Sequence, residues 1–290
     1  MTMEVGIIGL GNMGGKMAHK LKECGINIAG YDTNESLLQT RLKQGDIDNV
    51  LTKDEVPRVK FFILSLPSTA SISEVLNSYS FSKNTLILDM STVGINFSRQ
   101  NHDLMTKKGI RYLDAPVIGM PAGVGTWTIP VGGEEKDFDD AQAILRCLGK
   151  NVIYFGPAGS GSAIKVLNNM ISLSTWATIS EAVVIADSLG VDLSKMYKAI
   201  KSSGGGAVSP MLDRIERIVN SDYQNICSVD VNIKDLEAAI ELSIITKVPS
   251  LMASAALNLH LIAHDRGYGN MDMDAIVLAF DQFKKSHGVK

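Results

Sequence analysis

The feature that most constrains this chain stands at its start. Val5-Gly6-Ile7-Ile8 is a β-rich run that passes at once into Gly9-Leu10-Gly11-Asn12-Met13-Gly14, after which Met17, Ala18 and Leu21 recur at helical spacing as far as Gly25. A lone Gly-x-Gly-x-x-Gly is a weak signal. This one follows a strand, opens a helix, and is followed by Asp32 at the end of the next strand-like run, Ile26 to Tyr31, so it predicts a dinucleotide-binding turn. Gly9 permits the tight turn, Gly11 lets the backbone approach a pyrophosphate, and Gly14 allows close helix packing. The N–H groups that begin the helix at Asn12 and Met13 favour the anion. Asp32, 21 residues after Gly11, is placed to accept hydrogen bonds from an adenosine ribose. No arginine stands in Tyr31-Asp32-Thr33-Asn34 to neutralise a 2′-phosphate, so NAD is expected over NADP.

Further strand-like runs follow at Phe61 to Leu66, Leu86 to Met90, Tyr112 to Ala115 and Val152 to Phe155, mostly separated by helical patterns. Strands alternating with helices predict a Rossmann-type, doubly wound parallel sheet over residues 1–160. Beyond Gly156-Pro157 the strand signal nearly stops, and residues 161–290 read as an all-α domain. Its helices are expected at Ser162 to Leu189, Ser194 to Lys201, Pro210 to Val219, Val229 to Ile245, Ser250 to His264 and Met273 to Phe283. The first is apolar on most faces, as suits a long interdomain helix or one that packs into another subunit, so a homodimer or homotetramer is expected. Gly204-Gly205-Gly206 reads as a flexible connector or, less simply, an active-site loop.

Twenty-eight Lys+Arg against 31 Asp+Glu, with no basic run, leave no positive surplus for nucleic acid or anionic lipid. The longest apolar stretch is interrupted by Ser172, Ser174, Glu181 and Asp187, so no membrane span is expected. The strand at Met3 leaves no room for a signal peptide, and Cys24, Cys147 and Cys227 make no Cys-x-x-Cys pair. A reducing cytoplasm fits best.

The proton donor that redox chemistry needs is not an obvious histidine. His260 and His264 are four apart on one helix, a spacing open to a metal but more simply a surface or subunit contact. The better candidate is Gly159-Ser160-Gly161-Ser162-Ala163-Ile164-Lys165-Val166-Leu167-Asn168-Asn169, where Lys165 and Asn169 share one helical face. Desolvation lowers an ammonium pKa toward neutrality, as exchange with an alcohol or carbonyl requires. A surface lysine beside a helical amide remains the plain alternative.

These elements together resemble the β-hydroxyacid dehydrogenase family, which includes 3-hydroxyisobutyrate dehydrogenases and tartronate semialdehyde reductases. The likeness covers nearly the whole chain through Ile8 to Gly14, Leu66-Pro67, Asp89-Met90-Ser91-Thr92, Asp114-Ala115-Pro116-Val117, Gly125-Thr126 with Val131-Gly132-Gly133, Gly159 to Asn169, and Lys234-Asp235-Leu236. It implies that Lys165 is the catalytic acid/base and that Asn169 holds the substrate's reacting oxygen or carboxylate. Leu66, Pro67 and Thr92 would line the cofactor, and Lys234 would reach over the nicotinamide. Backbone N–H groups near Ile118 and Gly119, with Ser91 or Thr92, would hold a substrate carboxylate. The expected reaction is hydride transfer between NAD and a small 3-hydroxy acid or its semialdehyde, 3-hydroxyisobutyrate-like, with Lys165 at the interdomain cleft.

Two positions depart from the resemblance, both on the substrate side. Val117-Ile118-Gly119-Met120-Pro121 carries isoleucine where the family commonly has serine, and Cys227 stands where an aromatic is common. The rival readings are an imine or other C=N reductase on the same scaffold and a non-catalytic dinucleotide-binding module. Turnover of hydroxy acids separates both from the main reading.

Overall fold

The computed structural model describes residues 4–52, 56–203, 213–281 and 283. Gly204 to Gly206, Pro210 and His287 lie outside them. The chain divides into two units, Met1–Lys165 and Val166–Lys290.

The first unit is built on a six-stranded parallel sheet of β1 (Glu4–Ile8), β2 (Asn27–Tyr31), β3 (Asn49–Val50), β4 (Phe61–Leu64), β5 (Leu86–Asp89) and β6 (Arg111–Asp114), in the order β3-β2-β1-β4-β5-β6. Its helices are α1 (Asn12–Glu23), α2 (Glu35–Gln44), α3 (Thr69–Ser78), α4 (Ile95–Lys107) and α5 (Glu135–Leu148). Side chains alternate across the sheet. Ile7, Ile63, Leu88 and Leu113 stand in one row, while Phe62, Ile87 and Tyr112 stand in register in a second apolar cluster. Gly6 makes room for Phe62, whose ring would lie 2.3 Å from a Cβ there. Local signals set the helix ends. Asn34 accepts the Leu37 N–H to start α2, and Gly45 stops it at φ 74°. The chain order reverses between β1 and β4, so the loops after the carboxyl ends of these strands flank a topological switch point.

Two strands escape sequence reading, the two-residue β3 and the longer β7 (Trp127–Val131). β7 pairs in parallel with β8 (Gly149–Tyr154), and it contains Pro130, a residue that argues against a strand. The antiparallel bridges Asp114–Gly132 and Ile118–Thr128 put Pro130 opposite Pro116, so neither ring displaces an N–H that a bridge uses.

The second unit holds the remainder of α6 (Ser160–Ser188), then α7 (Leu193–Ser202), α8 (Ile215–Val219), α9 (Val229–Thr246) and α10 (Leu251–Ala263). Residues Met273–Ala279 form a 3₁₀ helix where an α-helix was expected. Asp272 begins this turn by accepting the Asp274 N–H, and the tighter winding buries all seven of its residues. Trp176 of α6 is fully buried, and its Nε1 donates to the Met273 carbonyl at 3.0 Å. Other faces of the same helix are open, with Ile171 65% and Ile185 59% exposed. Among the described residues, no helix is long and apolar enough to cross a membrane.

Candidate active site

The glycine turn has the form a dinucleotide needs. Gly9 sits at φ 94°, and a Cβ there would lie 2.2 Å from the Ser65 carbonyl oxygen; at Gly14 it would lie 1.8 Å from the Gly9 oxygen. A Cβ at Gly11 would meet nothing within 4 Å, so that edge faces open space where a ligand can approach. Asn12 and Met13 open α1 directly behind it. Asp32 stands just past β2, accepting the Leu10 N–H at 2.7 Å on Oδ2 and the Asn34 N–H at 2.9 Å on Oδ1. Its carboxylate is thus tied to the turn itself, with lone pairs left over for a ribose. These residues fit a dinucleotide.

Leu66, Pro67, Ser91 and Thr92 follow β4 and β5. Ser91, expected as a substrate contact, is held by the protein itself. It is buried, its Oγ accepts the Leu66 N–H at 3.0 Å, and its own N–H donates to Asp89 Oδ1 at 3.0 Å. A hydroxyl so placed fixes the Leu66-Pro67 turn from behind. Asp89 in turn takes the Tyr112 hydroxyl at 2.5 Å; burial pushes its carboxyl up, opposed by the bonds from Tyr112 and Ser91.

The loop after β6 commits a further expected donor. The Ile118 N–H donates to the Thr128 carbonyl at 2.9 Å, so that donor is committed to the backbone. Gly119 lies at φ 150°, and a Cβ there would come within 2.3 Å of Trp127 Cδ1. Trp127 Nε1 also donates to the Met120 carbonyl at 2.7 Å. The buried tryptophan therefore shapes residues 118–120, a part that no local pattern in the sequence announced.

Lys165, half-buried, lies in the second turn of α6, and Asn169 lies one turn further on. Asn169 Nδ2 donates to Asp235 Oδ2 at 2.7 Å, while its Oδ1 accepts from Asn168 at 3.2 Å. A carboxylate only accepts, so Asp235 fixes which way the amide faces. Lys234 and Asp235 are neighbours on α9, 3.7 Å apart through Nζ and Oδ1. The Lys-Asp-Leu motif held the signal for Asp235, but the partner lay 66 residues away.

The two spaced histidines do not converge. His260 is buried, its Nδ1 donating to the Ala256 carbonyl at 2.8 Å and its Nε2 facing Asn232, and burial pushes its pKa down. His264 is exposed and pairs with Asp230 at 2.6 Å, which raises its pKa. Cys227, at the position where an aromatic is common, donates to Asn232 Oδ1 at 3.3 Å.

A parallel sheet in this strand order, with a glycine turn closed by an acid after β2, defines a dinucleotide-binding scaffold. Residues 4–156 match the NAD binding domain of 6-phosphogluconate dehydrogenase, and residues 159–280 match the NAD-binding domain of NADP-dependent 3-hydroxyisobutyrate dehydrogenase. A 2-(hydroxymethyl)glutarate dehydrogenase of Eubacterium barkeri is 28% identical, over 97% of this chain and 96% of its own. The mitochondrial 3-hydroxyisobutyrate dehydrogenase of Rattus norvegicus is 30% identical, over 94% of this chain and 85% of its own. Among solved structures, a 3-hydroxyisobutyrate dehydrogenase from Salmonella typhimurium matches with a TM-score of 0.88 at 25% identity, over 96% of this chain and all of that one. The chain belongs to the β-hydroxyacid dehydrogenase family, nicotinamide-dependent oxidoreductases that act on hydroxy acids.

Proposed function

We propose that this protein moves a hydride between NAD and the hydroxyl-bearing carbon of a small 3-hydroxy acid, 3-hydroxyisobutyrate-like, with Lys165 as acid and base. The observation that carries the reading is Lys165 one turn before Asn169 on α6, with the Asn169 amide oriented by Asp235 of α9. Nicotinamide supplies, when bound, the carbon that gives or takes the hydride. In oxidation Lys165 accepts the hydroxyl proton at Nζ; in reduction it returns one. Asn169 Nδ2 has two hydrogens, and the one not given to Asp235 is the donor for the substrate oxygen. The Ile118 N–H bonds Thr128, so the neighbouring Gly119 N–H, with Ser91 or Thr92, is the proposed holder of a carboxylate. Gly9 to Gly14, Asp32, Leu66 and Pro67 hold the cofactor, with Lys234 adding a cation.

Turnover with NAD across 3-hydroxyisobutyrate, 3-hydroxypropionate, serine and glycerate tests the activity, and reduction of cyclic imines without any hydroxy-acid turnover would sink it. Lys165→Ala should lower kcat at least about 10²-fold while NAD binding changes less than about twofold. Near wild-type kcat in that variant removes Lys165 from the mechanism.

A homodimer or homotetramer is part of the proposal. Leu189, Ile244, Leu251 and Met252 are 65–75% exposed, apolar surface that a second copy would cover. Light scattering at micromolar concentration that gives the 31.2 kDa monomer with full activity would rule this out. The free thiols Cys24, Cys147 and Cys227 support a reducing compartment such as the cytoplasm.

A further inference from the structure

Lys165 can act only if the start of α6 is held in one place. A helix start leaves its first N–H groups without partners, and the usual remedy is a side chain within the same segment, such as a Ser or Thr cap answered by a Glu three residues on. The segment Gly159-Ser160-Gly161-Ser162 has no such acid. Its cap comes from the sheet. Asp114, the last residue of β6 and 1% exposed, accepts the Gly159 N–H at 2.8 Å on Oδ1 and the Ser162 N–H at 2.7 Å on Oδ2. These are the two donors that a capping box satisfies, here both taken by one carboxylate reaching across from another element.

Close packing fixes the same joint. A Cβ at Gly132 would lie 2.8 Å from the Ser160 nitrogen and 2.9 Å from the Gly161 nitrogen; a Cβ at Gly161 would lie 2.4 Å from the Asp114 carbonyl oxygen. The helix start thus rests directly on the Asp114–Gly132 bridge, with no side chain between. The Ser98 and Ser162 hydroxyls, 2.7 Å apart and buried, join α4 to the same turn. Lys165 follows Ser162 by three residues, less than one helical turn, so a change in the cap is passed to it with little slack.

We propose that Asp114 is a positioning residue for the reaction: its two-point cap sets the height and rotation of the first turn of α6, and thereby where Lys165 delivers its proton. The proposal rests on the reading of Lys165 as the acid/base. It separates Asp114 from an ordinary stabilising cap, because its loss should appear in kcat even where the protein remains folded.

The test is Asp114→Asn, which keeps the shape but replaces one accepting oxygen with a donor that meets an N–H. At a temperature well below unfolding, with NAD and whichever of 3-hydroxyisobutyrate, 3-hydroxypropionate, serine or glycerate turns over fastest, kcat should fall about 10- to 100-fold. NAD affinity should stay within about twofold, and the pH profile of kcat should shift, since the ammonium of Lys165 changes surroundings. In a Lys165→Ala background the same change should lower the residual rate less than about twofold. A folded Asp114→Asn protein with wild-type kcat, or an equal fall in both backgrounds, overturns the proposal and leaves Asp114 a structural cap. If Lys165→Ala itself is fully active, the acid/base reading fails first, whatever Asp114 does. Hydrogen exchange on the unmodified protein gives a check that needs no variant: the Gly159 and Ser162 amides should exchange slowly, and fast exchange there would overturn the cap.

Discussion

The carboxylates at the carboxyl edge of the first unit's sheet and those in the core of the second unit are held by different means. At the sheet edge, Asp32, Asp89 and Asp114 stand at the carboxyl ends of β2, β5 and β6, and each accepts backbone N–H groups: from Leu10 and Asn34, from Ser91, and from Gly159 and Ser162. In the second unit Asp272 and Asp274 are fully buried beside arginines, and Asp272 also accepts the Ile226, Cys227 and Asp274 N–H groups. Arg214 pairs with both and lies 5.8 Å from the Trp176 ring, and Arg217 approaches each at 3.3 Å. The difference follows from what each place has to do. Amide donors fix a carboxylate's geometry without adding a mobile cation, which suits an edge that must bind a ligand in one orientation. In the second unit arginine charge is added to amide donors, because two carboxylates are buried close together.

That contrast is open to three measurements, from the largest expected effect downward. Arg214→Ala should destabilise the protein by about 3 to 5 kcal/mol in denaturant unfolding, because two buried carboxylates lose a partner. The loss should depend on pH. Desolvation pushes Asp274 up to about 6, against the pull of Arg214, so its ionised form costs stability once the pH rises through that value. The penalty of Arg214→Ala should therefore be smaller at pH 5 than at pH 8. A loss under about 1 kcal/mol would mean that Arg217 and the backbone hold these groups unaided.

The second measurement concerns the amide-held acid that faces the cofactor. Asp32 should disfavour a 2′-phosphate by about 2 to 4 kcal/mol, a preference for NAD over NADP of roughly 30- to 1000-fold in kcat/KM. Asp32→Ser should narrow it. Equal efficiency with NADP would show that the carboxylate is spent on Leu10 and Asn34 alone.

The smallest effect is expected at Ile118, where backbone geometry is kept but the side chain departs from the family. Its N–H and carbonyl both bond Thr128, so only the side chain is left to select a substrate. An apolar branch favours a methyl over an added hydroxyl, so 3-hydroxyisobutyrate should be preferred to glycerate, and Ile118→Ser should narrow the ratio about tenfold, roughly 1.4 kcal/mol. A wild type that prefers glycerate, or a ratio the mutation leaves unmoved, removes Ile118 from the substrate site.

Much of the first unit was legible because its signals are local. A turn that needs φ above zero, a helix start and an acid one strand later are each written within a few residues, and so Gly9, Gly11, Gly14 and Asp32 could be read in order. The long helix was legible too, within two residues at its start and one at its end. β7 was not, because the tolerance for Pro130 comes from Pro116 on the chain opposite.

What the sequence determined by itself was therefore the alternation that builds the sheet, the glycine turn, and the presence of a lysine and an asparagine on one helical face. Partners distant along the chain were decided only by the tertiary structure. Trp127 presses on Gly119, Ser91 turns its hydroxyl to Leu66, Asp235 orients Asn169, and Asp114 caps a helix 45 residues later. The reason is physical: a hydrogen bond's direction and a close backbone contact depend on where two elements meet, and residue type alone carries neither.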